Sequence, residues 1–173
     1  IYTLSLRDVL PICLAPVWRL SQRVSAFQVA DQVSVWDALE VEVPACTACA
    51  LHKTRARTVL GVGDRNAAWL LVGEAPGAEE DRLGEPFVGQ AGRLLDNMLA
   101  AIGLARGENV YIANVLKCRP PGNRNPEPEE VARCTPFLQR QIALIQPKII
   151  VALGRFAAQT LLGSDVTIAS LRG

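Results

Sequence analysis

The sequence predicts an α/β protein with a mainly parallel sheet covered on both faces. Three largely apolar runs read as buried strands: Trp69-Leu70-Leu71-Val72, Val110-Tyr111-Ile112-Ala113-Asn114-Val115-Leu116 and Lys148-Ile149-Ile150-Val151-Ala152-Leu153. A helical pattern follows each of them, and alternating strands and helices build parallel sheets. The first run empties into Gly73-Glu74-Ala75-Pro76-Gly77. Open α/β sheets place ligand sites on such turns, at the C-terminal ends of their strands.

The remaining elements follow in chain order. With 173 residues, half of them hydrophobic, the chain can bury one substantial core. The net charge of +1 gives no global attraction to a polyanion, so any nucleic-acid surface must be a local patch. No apolar run is long enough for a membrane-spanning helix. Both ends, Ile1 and Leu171-Arg172-Gly173, read as cut. Residues 1–33 read as a poorly ordered leader and residues 34–173 as the folded domain. An apolar stretch after Arg7 faintly imitates a secretory signal, but Pro11 and Pro16 break it. From residue 35 a helix is expected, with Trp36, Leu39 and Val43 on one side and Pro44 at its end. Residues 58–64 form a glycine-punctuated connector with room for a short edge strand.

Residues 84–92 read as a long turn carrying Phe87. A helix over 91–102 would bury Leu94, Leu95, Met98, Leu99 and Ile102, with Gly103 as its stop. Residues 117–126 are basic and proline-rich, a composition that excludes regular structure. Pro128 opens a helix with Glu129 and Glu130 in its first turn, where carboxylates suit the dipole. It continues through Cys134, Leu138, Ile142 and Ile145. A last helix over 155–162 is closed by Gly163.

Four of the five cysteines have metal-site spacing: Cys46 and Cys49 in a C-x2-C knuckle, then Cys118, then Cys134. Cys13 stands apart as a bystander. Tetrathiolate zinc and a [4Fe–4S] cluster both want four thiolates. Zinc ribbons use two matched knuckles, whereas here one ligand sits in a loop and another on a helix, which suits a cubane better. Four unrelated buried thiols are the plain alternative.

Taken together, certain residues carry a resemblance. They are Gly73-Glu74-Ala75-Pro76-Gly77 with Glu80-Asp81, Pro86-Phe87-Val88-Gly89, Asn114 with Lys117-Cys118-Arg119-Pro120-Pro121, and Cys134. In this order and spacing they resemble family 4 uracil-DNA glycosylases, the iron–sulfur members of that superfamily, over residues 36–173. The resemblance implies a three-layer α/β/α sandwich around a mainly parallel four-stranded sheet. It implies hydrolysis of the N-glycosidic bond of uracil in DNA, initiating base excision repair. Cys46, Cys49, Cys118 and Cys134 would hold a [4Fe–4S] cluster. Gly73, Glu74 and Ala75 would form the loop under the base, Phe87 would stack on it, and Asn114 would read its edge. Glu80 resembles the family residue that walls the pocket near the C5 position. Family members also carry a His-Pro-Ser type motif, and His52, the one histidine here, matches nothing in it. The resemblance therefore implies a chain cut short, with its last strand missing, activity impaired, and residues 148–153 left as an open sheet edge.

The residue chemistry agrees with this reading. An aromatic such as Phe87 can offset part of the cost of unstacking a flipped base. The amide of Asn114 can accept from uracil N3–H and donate to O4, whereas cytosine presents the reverse pattern. Glu74 and Glu80 are the candidate catalytic carboxylates, to orient water or stabilise an oxocarbenium ion. Lys53, Arg55, Arg57, Lys117, Arg119 and Arg124 would offer phosphate contacts. The expected partner is uracil-containing DNA, for a cytoplasmic monomer with no membrane and no obligate protein partner. Two rival readings are a non-catalytic DNA-binding iron–sulfur or zinc module, and a zinc-stabilised nucleotide-binding domain. Against the second, the Gly73–Gly77 loop lacks a Lys-Ser/Thr pair and carries carboxylates that repel phosphate.

Overall fold

The three apolar runs pair side by side as the parallel centre of one sheet. A computed structural model of the chain describes residues 2–5, 26–165 and 167–171. Its strands are β1 (Tyr2–Ser5), β2 (Val62–Gly63), β3 (Trp69–Gly73), β4 (Val110–Asn114) and β5 (Ile149–Ala152). Their spatial order is β1-β5-β3-β4-β2. The inner pairs are parallel, with Leu71 opposite Ile112 on one side and Val151 on the other. Both edges are antiparallel: β2 on β4, and β1 on β5. The expected open edge on residues 148–153 is thus covered, since Tyr2–Ser5 pairs with Ile149–Ala152. These four residues belong to the expected leader, whose residues 6–25, including Cys13, lie outside the described residues.

Five helices flank the sheet: α1 (Ala26–Ala45), α2 (Ala78–Leu83), α3 (Gln90–Ala101), α4 (Pro128–Ile145) and α5 (Arg155–Leu162). Strand side chains alternate between faces, and here the alternation divides two cores. Leu70, Val72, Tyr111, Ala113, Ile150 and Ala152 pack with Trp36, Leu39 and Val43 of α1, Leu138 and Ile145 of α4, and Ala157, Ala158 and Leu161 of α5. Leu71, Val110, Ile112 and Val151 pack on the opposite face with Leu95 and Leu99 of α3. The result is the expected three-layer sandwich, around a sheet of five described strands where four were expected, because short antiparallel strands β1 and β2 are added at its two edges. Helix α1 begins nine residues earlier than the expected start at 35, at Ala26, and Pro44 lies in its last turn.

Helix α3 departs from its expected apolar face. Leu95 and Leu99 are buried, but Leu94 is 61% and Ile102 62% exposed. Leu94 sits about 100° around the helix from Leu95, off the single stripe that meets the sheet. Ile102 falls beyond the last helical residue, where the chain reverses through Gly103 (φ +73°). Leu104 then returns to donate its N–H to Leu99 O and packs against the core in place of Ile102. Leu99→Ala should therefore cost about 2–5 kcal/mol, and Ile102→Ala within about 0.5 kcal/mol. Urea unfolding of the two variants measures the contrast.

Candidate functional site

The C-terminal ends of β3 and β4 meet at Gly73 and Asn114, which are register partners. A side chain at Gly73 has no room: its Cβ would overlap Asn114 Oδ1 and lie 2.6 Å from Phe87 Cζ. The amide oxygen and the aromatic ring therefore face each other across a bare stretch of backbone. Asn114 is 2% exposed, and its Oδ1 is the one buried side-chain oxygen or nitrogen among the described residues without a hydrogen-bond partner. An unpaired buried acceptor costs about 1–3 kcal/mol, so this one marks a place for a donor. The turn behind it is tied to β4, since Val115 N–H donates to Gly73 O and Leu116 N–H to Glu74 O. Glu74 is half-buried, and that burial raises its carboxyl pKa against the lowering field of Arg155.

The short helix α2, inside a stretch the sequence left unassigned, fastens three loops. Glu80 Oε2 accepts the Gly77 N–H at 3.0 Å, while Oε1 accepts those of Val88 (3.0 Å) and Gly89 (3.1 Å). Its carboxylate thereby joins the Gly73–Gly77 turn to the segment carrying Phe87. The neighbouring Asp81, 6% exposed, accepts the N–H groups of Ala56 (2.9 Å) and Arg57 (3.3 Å). Arg106 holds the Phe87 segment from the other side, and no sequence motif points to it.

The four spaced cysteines line one cavity, together with Val43, Phe137, His52 and Arg55. Cys46 follows α1, Cys49 starts a 3-10 turn over Ala50–Lys53, Cys118 lies four residues beyond the end of β4, and Cys134 is on α4. None is in a disulfide. Two sulfurs already receive donors: Arg55 Nη1 at 3.1 Å from Cys118 Sγ, and the Lys117 N–H at 3.2 Å from Cys134 Sγ. Burial pushes the Cys118 thiol up and the Cys134 thiol to about 11. Among the described residues no three His, Cys, Asp or Glu side chains are grouped to hold a single ion.

The basic residues fall into two groups, exposed and committed. Lys53 and Arg57 are exposed. Lys117, expected among the phosphate contacts, is instead buried: at 1% exposure it reaches no phosphate. Its Nζ donates to Asn114 O (2.8 Å) and Gln141 Oε1 (2.6 Å), and burial pulls its pKa down to about 8. Gln141 in turn donates to Leu60 O and Tyr111 Oη. Arg55 is committed internally, to Pro44 O, Cys46 O and Cys118 Sγ. Arg124 forks onto Glu130 at 2.9 and 2.6 Å, pinning the proline-rich loop to α4, while Arg119 donates to Asn123 on the surface. His52 bonds Cys49 O, beside the cysteine cavity.

Residues 60–172 match the model of the uracil DNA glycosylase superfamily. The chain belongs to that superfamily. It is 58% identical over 123 residues to the type-4 uracil-DNA glycosylase of Archaeoglobus fulgidus, covering 71% of this chain and 61% of that one. The type-4 enzyme of Thermotoga maritima is 51% identical over 132 residues, covering 76% of this chain and 68% of the relative. The corresponding protein of Pyrobaculum aerophilum is 50% identical over 117 residues, covering 68% and 59% respectively. The chain thus spans about six-tenths to two-thirds of the length of these relatives. No helix among the described residues is long and apolar enough to cross a membrane.

Two outcomes test how this superfamily site is held. Glu80→Gln replaces an acceptor oxygen with an NH2 facing backbone N–H groups. Native-state hydrogen exchange at Gly77 or at Val88 and Gly89 should then speed up by about 10–100-fold, equivalent to a loss of about 1–3 kcal/mol. Arg124 holds the Glu130 carboxyl below its ordinary 4.5. That stabilisation is complete above pH 4.5 and is lost as pH falls through the lower folded value. Glu130→Gln should therefore weaken the protein at neutral pH and flatten its acid loss of stability, as pH-dependent urea midpoints would show.

Proposed function

We propose that this chain forms the base-recognising body of a uracil-DNA glycosylase, which flips uracil from DNA and hydrolyses its N-glycosidic bond. The observation that carries the reading is the orphaned Asn114 Oδ1, facing Phe87 across Gly73. Uracil presents a donor at N3–H and an acceptor at O4, which the Asn114 amide complements with Oδ1 and Nδ2. Phe87 stacks on the flipped ring, a contact worth about 1–3 kcal/mol. Gly73, Glu74 and Ala75 line the floor. Backbone N–H groups at Glu74 and Ala75 face the uracil oxygen that gains negative charge as the bond between N1 and C1′ breaks. Glu74, half-buried beside the Gly73 floor, would be the carboxylate to orient the attacking water or to face the cationic sugar. Water oxygen bonds to C1′, and uracil departs as an anion that is then protonated. Both Glu80 oxygens are engaged by backbone N–H groups, which favours a role in shaping the pocket wall over one in activating water.

Cys46, Cys49, Cys118 and Cys134 would hold a [4Fe–4S] cluster. What supports the cluster over a zinc ribbon is the donor set: one C-x2-C knuckle, a loop cysteine and a helix cysteine line one cavity, with N–H donors at two of the sulfurs. The cluster would serve as a structural pin. The four cysteines would tie the Cys46–Cys49 knuckle and the proline-rich loop to α4. Base excision transfers no electrons. Exposed Lys53 and Arg57 would meet DNA phosphates. The protein would act as a monomer in the cytoplasm, without an obligate protein partner.

Uracil release from a uracil-containing strand by the full-length protein tests the reading. Asn114→Ala should slow single-turnover excision about 10²–10³-fold, the usual cost of one preorganised polar group. Asn114→Asp should relax the rejection of cytosine. Specific binding without any release would point to a non-catalytic DNA-binding module instead. Cys118→Ala should lose iron and the broad visible absorption of an iron–sulfur protein. Stoichiometric zinc in colourless wild-type protein would reject the cluster.

A further inference from the structure

We propose that Arg106 is a positioning residue that fixes the stacking ring, by holding Phe87 in a left-handed backbone conformation from which its side chain reaches the Gly73 floor. The proposal rests on the reading of Phe87 as the platform for the flipped base. Phe87 has φ +54°, a region that residues with a Cβ seldom occupy. Phe87 is half-buried, packed on one side against the core, so its backbone conformation also sets where the ring lies. Both carbonyls that define that conformation are held by one guanidinium. Arg106 Nη1 donates to Pro86 O at 2.8 Å and Nη2 to Phe87 O at 2.7 Å. These oxygens belong to the peptide groups on either side of the Phe87 Cα, so their relative orientation expresses φ and ψ of that residue. A planar fork with fixed donor directions can hold such a pair, whereas an ammonium is a point charge.

The guanidinium is itself aimed. Nε and Nη2 of Arg106 both donate to Asp96 Oδ1 of α3, at 3.1 and 2.9 Å. One turn earlier on α3, a Cβ at Gly92 would overlap the Phe87 carbonyl, so that glycine lets the strained segment lie against the helix. On the far side the N–H groups of Val88 and Gly89 are taken by Glu80. The two clamps differ in reach. Glu80 belongs to the motif region, while Arg106 comes from the turn between α3 and β4, outside every segment the sequence singles out.

The experiment is a mutant cycle in the full-length protein, with equilibrium binding to a single strand whose uridine carries a 2′-fluorine to block cleavage. Phe87→Ala and Arg106→Ala should each weaken binding about tenfold, in line with the loss of one stacking contact. The double variant should bind no worse than Phe87→Ala, because Arg106 acts through the ring. The slope of log affinity against log salt should stay unchanged, and Arg106→Lys should remain impaired. Losses that multiply in the double variant would overturn the proposal. So would a salt slope reduced by about one with recovery in Arg106→Lys, the signature of a phosphate contact. Normal binding by Arg106→Ala beside a weakened Phe87→Ala would overturn it too, leaving the stacking reading intact. Normal binding by Phe87→Ala would overturn the stacking reading and this proposal with it. Should Arg106→Ala fail to fold, Asp96→Asn frees the guanidinium without removing it, and the same cycle applies with a smaller loss.

Discussion

The absence of a side chain at Gly73 is the constraint on which the site depends. Two parallel strands end in register there, and the space a Cβ would take is shared by an amide oxygen and an aromatic ring. Everything nearby serves to keep that space open. Asn114 is held from below by its place in a fully buried strand and by Lys117 on its carbonyl. Phe87 is held in a conformation it would not choose alone. An acceptor left unpaired in such a setting is tolerated because the surrounding structure over-determines it.

Buried or half-buried charge does much of this holding. Glu80 and Asp81 leave adjacent positions on one short helix toward different loops, each accepting backbone N–H groups that no sheet or helix satisfies. Arg55, Arg106 and Arg124 do the converse work on carbonyls, a thiol sulfur and carboxylates. Loops of this length have little apolar surface to bury, so charge-assisted hydrogen bonds replace a core. The same logic explains why Arg55 and Arg124, which look like DNA contacts in the sequence, are tied to the protein itself.

The cysteine cavity stands one step behind the β4 end that carries Asn114. Lys117 spans the two, with its backbone N–H on Cys134 Sγ and its ammonium on Asn114 O. Gln141 extends the link to Tyr111 and to Leu60. Disturbance of the cysteine cavity would therefore reach the strand end that carries Asn114 through Lys117, without passing through solvent.

The sequence alone determined the layered α/β architecture, because the apolar runs and their following helices are local signals that survive any tertiary arrangement. It also placed Gly73, Glu74, Phe87, Asn114 and the four cysteines within recognisable motifs. Periodicity failed at Leu94 and Ile102, where a narrow contact stripe and an early reversal at Gly103 outweighed the apolar pattern. Charge misled at Lys117, since nothing local separates a buried lysine from a solvated one. Only the tertiary structure decided which carboxylates are committed to loops, that Arg106 grips Phe87, and that Tyr2–Ser5 covers β5. Those outcomes depend on residues far apart in the chain, and short-range patterns carry no record of which distant groups a polar side chain will meet.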